Sequence, residues 1–187
     1  MVTWEAYDVV VVGAGHAGAE AAAAAANMGA KTLLVTMSLE AICQMSCNPA
    51  MGGVAKGQIV REVDALGGWS GIITDRSAIQ FRMLNRSKGP AMWSPRAQCD
   101  KLHFSLNWRY VLENTCNLDI WQDSVVAITR RESHICGVRL LMGAEFSAKT
   151  VILTAGSFLE GRLFVGTEMT EGGRMGELPS KGLSQTL

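Results

Sequence analysis

The sequence has no excess of charge of either sign, and this limits the partners that its surface as a whole can attract. Its 187 residues include 17 lysines and arginines and 17 aspartates and glutamates, which gives a formal net charge of zero. A balanced chain has no bulk attraction for nucleic acid. Any contact with a polyanion must therefore come from a local basic patch.

Long apolar runs and paired metal-ligand motifs are also missing. The apolar stretch at residues 9–12 is far too short to cross a bilayer, and nothing before it resembles a signal peptide. The three histidines are scattered, and no two of the five cysteines form a Cys-x-x-Cys motif. We therefore expect a cytoplasmic protein with reduced thiols, no membrane association and no metal site.

The first residues carry the pattern of a βαβ unit. Tyr7–Val12 is short and almost purely apolar, which is typical of a strand buried on both faces of a parallel sheet. A glycine-rich turn follows, then an alanine-rich helix predicted at Ala19–Met28 and a second buried strand at Lys31–Val35. Strand, turn, helix and strand at this spacing form the unit that binds nucleotide cofactors.

The turn itself has the spacing Gly-x-Gly-x-x-Gly. Its first glycine permits a tight turn, its second lets the backbone approach a pyrophosphate, and its third lets the helix pack closely. The helix N-terminus behind the turn would supply free N–H groups and the positive end of the helix dipole. The cofactor-binding residues predicted here are Gly13, Ala14, Gly15, His16, Ala17 and Gly18.

The acidic residue that usually ends the second strand and binds the ribose is absent. Thr36-Met37-Ser38 occupies that place. Either Thr36 or Ser38 contacts the ribose, or Glu40 reaches back from the following loop. This departure weakens an interpretation as an NAD site more than one as an FAD site, because FAD has many other contacts along its length.

Further elements are predicted along the rest of the chain. Ser94-Pro95 has the pattern of a helix start, with Ser94 as N-cap and Pro95 as first helical residue. The apolar residues of this helix fall on one face, at Phe104, Trp108, Val111 and Leu112. Thr150–Leu153 is another buried run, typical of a parallel strand. Four further segments predict an antiparallel meander: Leu118–Gln122, Ser124–Thr129, Gly137–Leu141 and Phe146–Ala148. The first of these, Leu118–Gln122, is also a candidate parallel strand.

These elements predict an α/β fold: a Rossmann-like FAD-binding domain of the glutathione-reductase type with a β-meander insertion. About four parallel strands can be counted where five or six are usual, so we expect the domain to be incomplete at its C-terminal end. Residues 1–187 would then be the N-terminal part of this domain. We expect a sheet core at about 7–75 and 118–156, a helical and basic segment at about 76–117, and an irregular tail at 157–187.

Cys47 is the candidate catalytic residue. It lies in the long loop after the second strand, within the run Ser46–Gly53, next to Asn48-Pro49 and ahead of a glycine pair. A thiolate there could add to an electrophilic carbon, such as C6 of uracil, or exchange with a disulfide. Taken alone, a free cysteine is more often a small apolar filler. Cys43, four residues earlier, leaves a redox pair to be considered.

The segment from residue 76 to residue 101 is locally basic. Its cations are Arg76, Arg82, Arg86, Lys88, Arg96 and Lys101, against Asp75 next to it and Asp100 within it. A solvated surface is the simplest interpretation. The interleaved Phe81 and Trp93 could instead stack on bases, and the arginines could hold the phosphates of FAD or an RNA backbone.

Two long segments, Tyr7–Glu20 and Gln44–Gly53, together with Ser87–Ala91, resemble the glucose-inhibited division protein A family. Members of this family are FAD-dependent enzymes that modify the wobble uridine of tRNA to a 5-carboxymethylaminomethyl form. The resemblance covers nearly the whole chain, and it implies that this chain is the N-terminal part of a protein about three times as long.

The resemblance also implies cofactors, partners and site residues. It implies bound FAD, NADH as reductant and methylenetetrahydrofolate as one-carbon donor. The partners would be tRNA, a second copy in a homodimer, and a partner GTPase (MnmE). By position, Val125 would read the adenine edge through its backbone, Ser180 would contact the flavin side, and Cys47 would be one of two catalytic cysteines.

Two other functions stay open. A folate- and FAD-dependent tRNA uracil-54 methyltransferase shares the fold and the cofactors, and the chain as given could also be an inert binding or dimerisation module. The run Ser87–Ala91 favours the wobble-uridine enzyme.

Overall fold

The computed structural model describes residues 6–187, which form four α-helices, eleven strands and a few short 3₁₀ turns. In chain order the helices and strands are β1 (Tyr7–Val12), α1 (His16–Asn27), β2 (Thr32–Thr36), β3 (Ala50–Gly52), α2 (Lys56–Ala65), α3 (Ser70–Ser77), β4 (Ala78–Leu84), β5 (Ser94–Cys99), α4 (Lys101–Glu113), β6 (Leu118–Gln122), β7 (Val125–Arg131), β8 (His134–Leu140), β9 (Glu145–Leu153), β10 (Arg162–Val165) and β11 (Glu168–Glu171). None of the described helices has the length and apolar character needed to cross a bilayer.

The chain divides into two compact units. The first consists of residues 6–39 and 115–187, and the second of residues 40–114. This division places residues 40–75 with the basic segment, whereas the sequence analysis grouped them with the sheet core.

The first unit is built on a six-stranded sheet with the order β6-β2-β1-β9-β8-β7. The first four strands in this order are parallel, and Val10 of β1 lies opposite both Leu33 and Val151. The start of β9 pairs with β8 in the antiparallel sense, and β8 pairs with β7 in the same sense. The predicted Rossmann-like α/β fold with an inserted β-meander is therefore confirmed.

The core of the first unit lies on both faces of β1 and β2, because their side chains alternate between the two faces. On one face Val10 and Leu33 join a cluster centred on Phe146, whose ring meets those of Tyr7 and Trp121 edge-on at 5.9 and 5.2 Å. The other face packs against α1 through small alanines, which let the helix approach closely. This packing fixes the turn between β1 and α1.

The second unit combines a three-stranded antiparallel sheet, in the order β3-β5-β4, with helices α2, α3 and α4. Its buried side chains include Ile73 of α3, Ala97 of β5, and Phe104 and Trp108 of α4. Phe104 and Trp108 lie one helical turn apart, and both are fully buried. The apolar face predicted for this helix is therefore confirmed.

The predicted helix start at Ser94-Pro95 is wrong, because both residues belong to strand β5. Pro95 lies opposite Met83 of β4, and its carbonyl accepts a hydrogen bond from the Gly53 N–H at 2.9 Å. The Ser94 hydroxyl donates to the Gly53 carbonyl instead of capping a helix. The helix begins after Asp100, whose carboxylate accepts the His103 N–H at 2.8 Å.

Other boundaries also differ from the prediction. Leu118–Gln122 is β6, which runs parallel to β2 and is not part of the meander, and the Asp123 N–H continues that pairing by donating to the Thr36 carbonyl. The two strands predicted from residue 146 to residue 153 form one strand, β9. Helix α3 was not predicted. The tail, expected to be irregular, contains the hairpin of β10 and β11.

Candidate cofactor site and cysteine loop

The turn between β1 and α1 requires glycine at the first and third glycine positions of the motif, for two different reasons. Gly13 has a φ of +99°, a conformation that side chains disfavour, and a Cβ there would lie 2.8 Å from the Thr154 carbonyl oxygen. A Cβ on Gly18 would lie 1.8 Å from the Gly13 oxygen. The turn and the helix therefore meet backbone to backbone, as the sequence predicts.

Gly15 differs from both other glycines of the motif, because nothing among residues 6–187 requires a glycine there. Its φ of −70° suits any residue, and a Cβ at this position would meet no atom of these residues within 4 Å. The space in front of Gly15 is therefore open. An open space here fits a pyrophosphate that must approach the backbone closely.

The N-terminus of α1 is available to such a group. Gly15 is the N-cap residue, and because it has no side chain it leaves the N–H groups of the first turn without a side-chain cap. The first turn also contains no acidic residue to compete with a bound anion. The donors and the positive end of the helix dipole therefore point at the space in front of Gly15.

Thr154 is a site residue that the sequence analysis missed. It follows β9, and its hydroxyl lies 2.8 Å from the Val12 carbonyl and 2.9 Å from the Gly13 carbonyl. These contacts tie the glycine turn to the neighbouring strand. The role of Thr154 could not be predicted from the residues around it, because it depends on the pairing of β9 with β1, which lies about 140 residues earlier in the sequence.

The end of β2 offers hydroxyl and amide groups in place of the usual carboxylate. Thr36 is buried and donates its hydroxyl to the Ser38 carbonyl at 3.2 Å, so its side chain is already engaged. Ser38 is half-buried and lines an open cavity of about 1140 Å³ together with Gln122 and Asp123. Of the two hydroxyl residues considered for the ribose, Ser38 is the accessible one.

Val125 and Ser180 belong to the same unit as the glycine turn, but their side chains are buried. Val125 is 2% exposed and packs in the core, while Ser180 is 6% exposed. The cavity is lined instead by their chain neighbours, among them Ser124, Val126 and Pro179. Any contact that Val125 makes with an adenine must therefore come from its backbone, and the roles of both residues stay predictions.

The cysteine loop lies in the second unit. Cys47 is exposed, whereas Cys43 is fully buried with a φ of +49°. All five cysteines are free, and residues 6–187 contain no cluster of His, Cys, Asp and Glu that could hold a metal ion. Burial raises the pKa of the Cys99 thiol, which disfavours its thiolate. Cys47 is thus the accessible thiol of this unit.

Strand pairing holds the loop after Cys47 in place. The Pro49 carbonyl accepts the Cys99 N–H at 2.7 Å, and Ala50 and Met51 pair with Gln98 and Ala97 of β5. The side chain of Asn48, the residue after Cys47, accepts a hydrogen bond from Gln98 Nε2 at 3.4 Å. The loop is therefore anchored on its C-terminal side while the thiol faces outward.

Comparison with known proteins identifies the family. Residues 8–187 match the family model described as glucose inhibited division protein A. A relative from Flavobacterium johnsoniae, named tRNA uridine 5-carboxymethylaminomethyl modification enzyme MnmG, is 60% identical over 98% of this chain. A relative of the same name from Phocaeicola vulgatus is 61% identical over 97% of this chain, and this chain spans 29% of the length of each.

Solved structures agree with the family match. The structure of Aquifex aeolicus GidA superposes with a TM-score of 0.94 at 49% identity, covering 98% of this chain and 31% of that one. A GidA-related protein from Thermus thermophilus superposes with a TM-score of 0.69 at 27% identity, covering 98% of this chain and 68% of that one. The chain therefore belongs to the glucose inhibited division protein A family.

Proposed function

We propose that this chain binds FAD and forms the N-terminal part of an enzyme that modifies the tRNA wobble uridine. The product would be 5-carboxymethylaminomethyluridine. The observation that carries the proposal is the open space at Gly15 in front of an uncapped helix N-terminus, which fits a pyrophosphate. The relatives that share about 60% of its residues carry the name of that modification enzyme.

FAD fits the site better than NAD does. The end of β2 has no carboxylate for the ribose hydroxyls, and we assign the ribose contact to Ser38, whose side chain borders the open cavity. Gly13 to Gly18 would hold the pyrophosphate, the Val125 backbone would meet the adenine, and Ser180 would lie toward the flavin. When bound, FAD would supply electron transfer between NADH and a methylenetetrahydrofolate-derived one-carbon unit.

Cys47 is our candidate nucleophile toward the uridine. C5 of uracil is a poor nucleophile until a group adds at C6, and a thiolate is suited to this addition. The Cys47 thiolate would form a bond to C6 and make C5 nucleophilic. Loss of the C5 proton after the new bond forms would then release the thiolate. The exposure of Cys47 is what supports this role.

The proposal includes partners beyond the chain itself. The substrate would be tRNA, and the working enzyme would be a cytoplasmic homodimer that acts with a partner GTPase (MnmE). The five free cysteines suit a reducing compartment. The uracil-54 methyltransferase is the less favoured alternative, because the relatives from Flavobacterium johnsoniae and Phocaeicola vulgatus carry the wobble-uridine name.

The variant Gly15→Val tests the cofactor site. A Cβ at this position meets no atom of the described residues within 4 Å, so we expect the fold to tolerate the substitution, whereas the side chain would occupy the space proposed for the pyrophosphate. We expect the affinity for FAD to fall by at least about tenfold, or about 1.4 kcal/mol. Flavin absorbance of the purified intact protein and titration of the apoprotein with FAD measure this.

The matched control is Ala24→Val, which adds a similar volume to an exposed position of the same helix. It should keep wild-type flavin content. If Gly15→Val retains as much FAD as Ala24→Val, the pyrophosphate does not lie at this turn and the proposal fails.

A further inference from the structure

On one face of the three-stranded sheet of the second unit, strands β4 and β5 carry four long polar side chains. Cross-strand pairing places Arg82 of β4 directly opposite Arg96 of β5, and Gln80 directly opposite Gln98. Because side chains alternate along a strand, these four residues share one face of the sheet. We call Gln80, Arg82, Arg96 and Gln98 the polar sheet face.

The opposite face of the same sheet is the packed one. Met51 of β3 and Ala97 of β5 lie opposite each other there, and they are 6% and 3% exposed. Helices α2 and α3 pack against these strands. The polar sheet face is thus not needed to build the core, and Gln80 and Arg82 are exposed.

Two arginines directly opposite each other are unfavourable for the sheet. The Cβ atoms of such a pair lie about 4.5–5.5 Å apart, and like charges on directly opposite residues destabilise strand pairing. Within residues 6–187 neither Arg82 nor Arg96 forms an ion pair with a carboxylate. The hydrogen bond that holds Arg96 runs from Nη2 to Gln98 Oε1 at 3.4 Å. The two positive charges therefore have no internal counter-charge.

The third strand leaves room beside this pair. Gly52 lies opposite Arg96, and Ala50 lies opposite Gln98, so only small residues flank the polar sheet face on that side. Gln98 in turn donates to the side chain of Asn48, the residue next to Cys47. Arg96 is therefore connected to the cysteine loop through the side-chain amide of Gln98.

We infer that the polar sheet face binds a backbone phosphate of RNA through the guanidinium groups of Arg82 and Arg96. Guanidinium groups bind phosphate oxygens with paired, charge-assisted hydrogen bonds, and a bound anion removes the repulsion between them. The inference rests on the proposed function only in that it takes RNA as the substrate. It adds a site that would bring a phosphate close to Cys47.

The surroundings favour an extended polyanion over a single small anion. Arg86 and Lys88 lie in the 3₁₀ turn that directly follows β4, and both are exposed. Arg76, two residues before the start of β4, and Lys101, two residues after the end of β5, are exposed as well. A chain of phosphates could contact several of these groups at once, whereas the dinucleotide pyrophosphate already has its place at the glycine turn.

The test uses Arg82→Gln and Arg96→Gln in the intact protein, with Arg131→Gln as control. Arg131 is an exposed arginine at the end of β7 in the first unit, and it forms no ion pair with any residue of the range 6–187. Binding of unmodified tRNA is measured at several KCl concentrations. Each sheet variant should lower the affinity about 3- to 10-fold at about 0.1 M salt and reduce the salt slope by about one.

Thermal unfolding without RNA provides a second measurement. Because each sheet variant removes a like-charge contact, we expect its Tm to equal or exceed that of the wild type. Arg82→Lys provides a further variant: it keeps the charge, so it should retain the salt slope, but it should bind tRNA more weakly because the bidentate contact is lost. A clear drop in Tm for the glutamine variants would show a structural role for the pair and overturn the inference.

The outcomes also separate this inference from the proposed function. If both sheet variants bind tRNA as tightly as Arg131→Gln does, the phosphate site is wrong even where the enzyme modifies tRNA normally. If the sheet variants lose RNA affinity while the wild type modifies no wobble uridine, the phosphate site stands and the proposed function fails.

Discussion

At the scale of single residues, the glycine turn shows how one motif combines three different physical requirements. Gly13 is required by its positive φ, Gly18 by a backbone contact, and Gly15 by neither, since only open space lies beside it. The sequence predicts all three positions from spacing alone. It does not predict Thr154, because the hydroxyl that holds the turn comes from a strand far along the chain.

Asp100 gives a prediction at the same scale. The backbone N–H of His103 donates to its carboxylate and lowers its pKa below the ordinary value of 3.8. A lowered pKa in the folded state means that the carboxylate stabilises the fold above about pH 4 and loses that effect as the pH falls through the lowered pKa. Asp100→Ala should therefore lower the Tm by a few degrees at pH 7.

The pH dependence distinguishes this cap from a general effect of the substitution. The difference in Tm between the wild type and Asp100→Ala should shrink as the pH falls from about 4 through the lowered pKa of Asp100, because the wild-type carboxylate becomes protonated over this range. Asp100→Asn, which keeps an accepting oxygen at the N-cap, should stay close to the wild type at pH 7. A Tm difference that does not change between pH 7 and pH 3 would contradict the assignment.

At the scale of elements, the region after residue 84 separates what a local pattern can and cannot decide. Ser94-Pro95 matches a helix start in composition, yet both residues pair with β4, and residues 96–98 of the same strand pair with β3 as well, in the centre of a sheet. The signal that opposes the helix is the alternation of buried Ala97 and Cys99 with the less buried Arg96 and Gln98. Local turn chemistry was overridden by pairing with two strands that the sequence does not identify as neighbours.

The buried face of helix α4 was predicted correctly, and its contribution to stability can be tested. Trp108 is fully buried, so Trp108→Ala should lower the free energy of unfolding by about 3–5 kcal/mol through lost burial and the cavity left behind. Leu106 lies on the same helix but is 52% exposed, and Leu106→Ala should change stability by less than about 1 kcal/mol. Urea unfolding followed by circular dichroism compares them, and equal losses would show that the helix faces are misassigned.

At the scale of the whole molecule, the first unit is assembled from two distant parts of the chain. β1 is central because it pairs with β2 on one side and with β9 on the other, some 140 residues later. The apolar runs predict that parallel strands exist, but they do not specify their order or how the units divide, since buried strands have no sequence signal for their neighbours. The same limit applies to residues 40–114, which form a separate unit that no local sequence pattern marks.

The glycine turn and Cys47 lie in different units, so we expect the proposed cofactor binding and the proposed reactivity toward tRNA to be separable by mutation. Cys47→Ser in the intact protein should leave FAD content and flavin reduction by NADH unchanged. The same variant should reduce formation of 5-carboxymethylaminomethyluridine at least about 100-fold, since a hydroxyl is a far weaker nucleophile than a thiolate toward C6 of uracil. Nucleoside analysis of tRNA from a strain that carries only the variant measures the product.

The control for this last experiment is Cys116→Ser, which changes another exposed, free cysteine. It should modify tRNA at the wild-type rate, so that the effect at Cys47 is not a general consequence of replacing a surface thiol. If Cys47→Ser modifies tRNA as fast as Cys116→Ser, the thiol takes no part in the chemistry. Cys47 would then serve only to shape its loop, and the nucleophile would have to be sought elsewhere.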